Sequence, residues 1–169
     1  MEPGSAQLRL RDGPLRIAWP AVEAAGRRGA IVLLFDASED GAAGDAERLS
    51  RTLSEALEMV SLSAGCRGLA DAAAALEWTA DHAGELGADG RRLVLAGFRR
   101  GATLAAELAV RARDDGWPSI AELVLVEARS GLAPARVGLP VRLIPSADLV
   151  TARGPASGQA RPPRSRPGG

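Results

Sequence analysis

One hundred and sixty-nine residues, 46% apolar and 25% charged with 21 basic against 21 acidic side chains, make one globular domain of ordinary size. Zero net charge with 3% aromatic residues argues against a nucleic-acid surface spread over the domain. A single cysteine, Cys66, rules out an intrachain disulfide framework and leaves a Cys-based zinc site or iron-sulfur cluster without ligands, so a reducing cytoplasm is the expected setting and no cofactor or metal is expected. All 21 basic residues are Arg, and Tyr and Asn are absent, a bias of the kind a GC-rich bacterial genome imposes. Only one histidine, His82, is present.

The first thirteen residues are charged and interrupted by Pro3 and Gly4, unlike a signal peptide, and the apolar runs elsewhere fall short of a membrane span. Gln7 to Arg11 and Leu15 to Trp19, around the turn Asp12-Gly13-Pro14, predict an edge hairpin in which Trp19 packs. Ala30 to Phe35 (AIVLLF) is an unbroken apolar run, as a strand buried on both faces requires. After a polar loop over 36–45, Leu49, Leu53, Ala56 and Leu57 share one face of a helix over 46–58. Met59 to Ser63 predicts a strand, Gly65 to Gly68 a break, and Leu69 to Leu86 a long Ala-rich helix with Trp78 opposite its apolar face and His82 on its surface.

The alternation continues with a strand over 92–96, a tight turn, a helix over 102–113, a strand over 121–127 and a last strand over 141–145. Asp114-Asp115-Gly116 and Trp117-Pro118 supply turn chemistry between them. Strands alternating with helices imply parallel pairing through right-handed crossovers. The expected architecture is a three-layer α/β/α sandwich around a mostly parallel, doubly wound sheet, with its functional edge at the carboxyl ends of the strands. After Val150 the composition changes to a Pro/Gly/Arg-rich stretch with four arginines and no acidic residue, expected as a disordered tail that touches an anionic surface only weakly. The domain is thus expected over 1–150 and the tail over 151–169.

The segment from Leu76 to Val126 reads LEWTADHAGELGADGRRLVLAGFRRGATLAAELAVRARDDGWPSIAELVLV, and upstream stands IVLLFDASEDGAAGD. Over roughly 8–150 this pattern resembles the α/β-hydrolase fold family, in particular its hormone-sensitive-lipase-like esterases. The resemblance implies an α/β-hydrolase sheet truncated at its C-terminus, lacking the family's final strand, C-terminal helix and substrate cap. It also implies that Gly97-Phe98-Arg99-Arg100-Gly101 occupies the nucleophile elbow, where the family has Gly-x-Ser-x-Gly. Asp36, Ala37, Ser38 and Glu39 then fall where it carries the His-Gly-Gly-Gly oxyanion loop, and Asp148 matches its acid position.

On this alignment the chemistry is degenerate. Arg99 stands at the serine position, and a guanidinium, protonated up to a pKa of about 12 or more, cannot attack an ester carbonyl. Carboxylates at Asp36 and Glu39 would oppose a developing oxyanion. The family's triad histidine follows the acid residue, and no histidine follows position 82. The expected function is that of an α/β-hydrolase-fold binding or interaction module without hydrolytic activity, self-associating or bound to a protein partner, with no membrane and little nucleic-acid affinity. A decaying hydrolase without a selected role is a further possibility on sequence grounds.

Two readings of Arg99 and Arg100 compete. Next to a helix N-terminus they would hold a small anion, whereas pairing of Arg99 with Asp36, Glu39 or Asp148 would fill the old site with an ion network, and the second is favoured because an unpaired guanidinium in a crevice is costly. The alternative enzyme is a carboxylic-ester hydrolase using Cys66, whose Ala64-Gly65-Cys66-Arg67-Gly68 setting imitates an elbow with Arg67 lowering the thiol pKa. Burial of Cys66 as an inert thiol is the favoured reading. Ser38, Ser61, Ser63, Ser130 and Ser146 lie near expected strand ends, but none has a Gly-x-Ser-x-Gly setting.

Overall fold

A computed structural model describes residues 4–10, 13–21, 28–128 and 137–145. In chain order the elements are β1 (Ser5–Leu10), β2 (Gly13–Ala18), β3 (Arg28–Asp36), α1 (Ala42–Leu57), β4 (Val60–Cys66), α2 (Leu69–His82), β5 (Ala88–Phe98), α3 (Gly101–Asp115), β6 (Ile120–Val126) and β7 (Val141–Ile144). All ten predicted elements are present in the predicted order. The last predicted residues, Asp148 and the 151–169 tail among them, lie outside the described residues, as do Ser130 and Ser146.

The seven strands form one sheet in the order β1-β2-β4-β3-β5-β6-β7. The β1–β2 hairpin pairs antiparallel at one edge and β2 pairs antiparallel with β4, while β4, β3, β5, β6 and β7 run parallel. From β3 the chain winds outward to β4, then crosses back past β3 to β5. The winding therefore reverses between β3 and β5, and the crevice at the carboxyl ends of these two strands is where open α/β sheets place their ligands.

The continuous apolar run in β3 is explained by what covers it. Ala30, Val32 and Leu34 belong to a core shared with Ala72, Ala73 and Leu76 of α2 and Ala102, Ala105, Leu108 and Ala109 of α3. Ile31, Leu33 and Phe35 face the other way, into a core with Ala42, Ala46, Leu49 and Leu53 of α1. Helices thus sit on both faces, and strand residues of either parity must be apolar. Leu33 and Leu34 are both fully buried, each removed from water for about 1.5–3 kcal/mol.

Element boundaries shift from the sequence expectation for local reasons. Helix α1 begins at Ala42, not Ala46, because Ala42 and Ala46 both enter the core at helical spacing. Strand β4 runs on to Cys66, since Gly65 lets the ring of Phe35 lie flat against the backbone, where an added Cβ would be 3.0 Å from that ring. Helix α2 stops at His82, four residues short of the predicted Leu86. There Glu85 and Leu86 N–H both donate to the His82 carbonyl and Gly87 takes a φ of +74°, while the Trp19 indole donates to the Leu86 carbonyl at 3.2 Å.

Candidate active site

The turn between β5 and α3 is built by two close approaches. A Cβ on Gly97 would lie 2.5 Å from Ala102 Cα and 2.8 Å from Ala105 Cβ, and one on Gly101 would lie 2.3 Å from the Leu34 carbonyl oxygen. Only glycine lets α3 leave the sheet this tightly. Arg99 sits between them with φ +51°, the left-handed conformation that costs a non-glycine residue about 1–2 kcal/mol. Its N–H donates to the Val126 carbonyl at 2.9 Å, tying the turn to the end of β6. The sharp strand-turn-helix of a nucleophile elbow is therefore present, with an arginine at its apex.

The guanidinium of Arg99 is held by three carboxylates. Nε donates to Glu127 Oε2 at 3.0 Å, Nη2 lies 3.0 Å from Asp45 Oδ2, and Nη1 lies 3.9 Å from Glu39 Oε1. It also sits over the Phe98 ring, its central carbon 4.6 Å from the ring centroid. The hydrogen bond that Arg99 donates to Glu127 is the main reason the guanidinium pKa is pushed above its ordinary value. Asp45 is shared with Arg48 of the same helix.

Arg100 pairs at 3.6 Å with Asp36 at the end of β3. Asp36 Oδ1 also accepts from Ser38 Oγ at 2.6 Å and Ser38 N–H at 2.8 Å, and these two bonds hold its carboxyl below the ordinary value of 3.8. The 37–39 loop, expected from the resemblance at the place of an oxyanion loop, spends its amides internally. Ala37 N–H donates to the Cys66 carbonyl, Ser38 N–H to the Asp36 side chain and Glu39 N–H to the Asp36 carbonyl. An oxyanion hole needs such donors aimed at empty space.

The expected filling of the crevice by ion pairs is found, with Glu39 as the one expected partner of Arg99 and at the outer limit of an ion pair. Glu39 stands beyond hydrogen-bond length, Asp36 goes to Arg100, and Asp148 is outside the described residues. The principal partners are Asp45 and Glu127, neither of which the sequence singled out. Glu127 was detectable in principle, since it follows β6, the parallel neighbour of the strand that ends at the elbow. A small anion beside Arg99 would have to displace three carboxylates already there.

Cys66 does not resemble a nucleophile. It is 1% exposed within the core under α2, and burial pushes its thiol up to about 12, with the charges of Asp71 and Asp36 adding to the effect. Arg67, expected to lower that pKa, instead bonds Asp71 at 3.1 Å. His82 lies at the far end of α2, about 20 Å along the helix at 1.5 Å per residue. There its ring stacks on Trp78, with centroids 4.3 Å apart, and its Nδ1 lies 2.8 Å from the Trp78 carbonyl oxygen. Ser61 is buried against Ser50, with the two hydroxyls 2.7 Å apart. Among the described residues no group of three or more His, Cys, Asp or Glu is arranged to hold a metal ion, and no helix is long and apolar enough to cross a membrane.

Comparison with known proteins agrees with the geometry. The family described as alpha/beta hydrolase fold matches residues 67–143. Over 50 residues the chain is 50% identical to Esterase LipI of Mycobacterium tuberculosis (strain ATCC 25618 / H37Rv), a stretch that is 30% of this chain and 16% of that protein. Among solved structures it is similar to EstE1, a thermophilic and thermostable carboxylesterase cloned from a metagenomic library, at 26% identity and a TM-score of 0.65 over 78% of this chain and 48% of that one. A hyperthermophilic esterase from the archaeon Pyrobaculum calidifontis superposes with a TM-score of 0.63 at 24% identity, over 82% of this chain and 51% of its own. The chain spans about half the length of these two structures.

Proposed function

We propose that this chain, which belongs to the α/β-hydrolase fold family and is related to its hormone-sensitive-lipase-like esterases, does not hydrolyse esters and acts instead through binding. One observation carries this reading: the residue at the apex of the elbow is an arginine whose guanidinium is neutralised by Glu127, Asp45 and Glu39. A nucleophile must be able to donate an electron pair to a carbonyl carbon, and a protonated guanidinium has none available. The spent amides of the 37–39 loop support the same reading.

A second copy of the chain is the proposed partner. Strand β7 has no partner on its outer side among the described residues, and Leu143 on it is 59% exposed, the most exposed of the large apolar side chains described. Light scattering on the eluting chain should show association that grows with concentration, and a monomer at all concentrations would remove this part of the reading.

Catalysis is tested with a short-chain activated ester such as p-nitrophenyl acetate. The purified chain and its Cys66→Ala variant are expected to give the buffer rate. Turnover well above buffer that disappears in Cys66→Ala would restore a cysteine hydrolase and overturn the proposal, as would turnover that survives in it.

A further inference from the structure

On the α1 face of the sheet a hollow of about 220 Å³, whose lining includes none of the elbow residues, opens between the β1–β2 hairpin and helix α1. Its floor is a row of directly opposed residues: Gln7 of β1 faces Arg16 of β2, which faces Ser63 of β4. Directly opposed residues project to the same side of a sheet, so an amide, a guanidinium and a hydroxyl line up in a row. Arg51 and Glu47 of α1 close the hollow from above.

This lining carries donors in excess of acceptors. Arg16 Nη1 donates to Glu47 Oε2 at 2.9 Å and Arg51 Nη2 to Glu47 Oε1 at 2.8 Å, so two guanidiniums share one carboxylate. A guanidinium has five N–H donors, and each of these spends one on a side chain. Glu55 lines only a smaller adjoining hollow beside Trp19, which leaves the Arg16 end with a net positive charge. The Ser63 hydroxyl and the amide of the exposed Gln7 both line the hollow, and neither makes a side-chain hydrogen bond among the described residues. The Ser63 hydroxyl is reached from the hollow rather than sealed in the core, so it is free to donate to an acceptor seated between the two guanidiniums.

We infer that this hollow binds the oxyanion group of a small molecule, a carboxylate or a phosphate, between the Arg16 and Arg51 guanidiniums with Ser63 and Gln7 donating from below. A planar guanidinium fork matches either group. The inference is independent of the elbow, and ester turnover is silent on it.

Isothermal titration calorimetry of the full chain at fixed ionic strength, with inorganic phosphate, succinate and citrate as probes and chloride as the balancing ion, tests it. One saturable site is expected for at least one probe, and the probe that binds identifies phosphate or carboxylate as the source. Affinity should fall at least about tenfold in Arg16→Gln, since a charge-assisted bond is lost. It should fall in Ser63→Ala, rise in Glu47→Gln, which frees both guanidiniums, and stay unchanged in Arg111→Gln on α3. If circular dichroism shows Arg16→Gln unfolded, the more exposed Arg51→Gln carries the same expectation. No saturable binding of any probe, or equal affinity in the native chain and the folded arginine variant, would overturn the inference.

Discussion

Replacing Gly101 with alanine asks whether the elbow glycines are retained for packing. The added Cβ would stand 2.3 Å from the Leu34 carbonyl oxygen, 2.7 Å from Leu34 C and 2.7 Å from Phe35 Cα. All three atoms belong to the backbone of β3, the strand flanked by β4 and β5, so no flexible side chain can yield. To reach ordinary contact α3 must lift by about 1 Å, parting its Ala102 and Ala105 from the core they fill without exposure. Over-packing in a fixed core costs about 1–3 kcal/mol, and rigid backbone on both sides puts this case at or above about 3 kcal/mol. For a domain of this length that lowers Tm by roughly 6–12 °C. Gly44, which also lies within a helix, has nothing within 4 Å of its Cβ position, and Gly44→Ala should instead stabilise by about 0.5–1 kcal/mol. Thermal melts followed by circular dichroism decide the matter. A Gly101→Ala melt within about 2 °C of the native chain, on a scale of roughly 2–4 °C per kcal/mol, would refute this account of the elbow.

Other expectations follow from the same geometry. Cys66, buried with its thiol pushed up to about 12, should react with a disulfide reagent at pH 8 only at the rate of unfolding, and fast labelling of the native chain would contradict its placement. The Asp36 carboxyl is held below its ordinary 3.8, so its contribution to stability is present above pH 3.8 and disappears as the pH falls through the lower folded value. In Ser38→Ala the acid limb of the Tm–pH curve should flatten relative to the native chain below pH 4, and superimposable curves would count against it. A double-mutant cycle with Arg99→Gln and Glu127→Gln should show a coupling of about 1 kcal/mol, between the values for exposed and buried pairs, because the two side chains are 32% and 22% exposed. Additivity within about 0.3 kcal/mol would remove the pair from the site.

How much of this the sequence carried depends on the range of the interaction. Strand β3 was legible from AIVLLF alone, because burial on both faces suppresses polar residues at every position. The elbow was legible from two glycines at a fixed spacing, since each meets backbone that no other residue could approach. The end of α2 was not, because it depends on Trp19, 67 residues away in the chain, whose indole takes up the Leu86 carbonyl. The partners of Arg99 were missed for a similar reason: Asp45 comes from the first turn of α1 and Glu127 from the end of β6, and only the strand order brings them to one point.

The elbow also shows that its backbone and its chemistry are held by separate means. Gly97, Gly101 and the bond from Arg99 N–H to Val126 fix the left-handed apex whatever side chain it bears. The carboxylates around the apex, by contrast, are tolerable only with a cation between them. An Arg99→Ser substitution would leave Glu39, Asp45 and Glu127 around the apex with Arg48 as the cation on Asp45. A carboxylate 4–6 Å from a developing oxyanion costs roughly 3–4 kcal/mol at an effective dielectric of 20, about a hundredfold to a thousandfold in rate. On the proposed reading the arginine and its acidic neighbours oppose ester hydrolysis jointly, and Arg99→Ser alone is expected to give no turnover of an activated ester above the buffer rate.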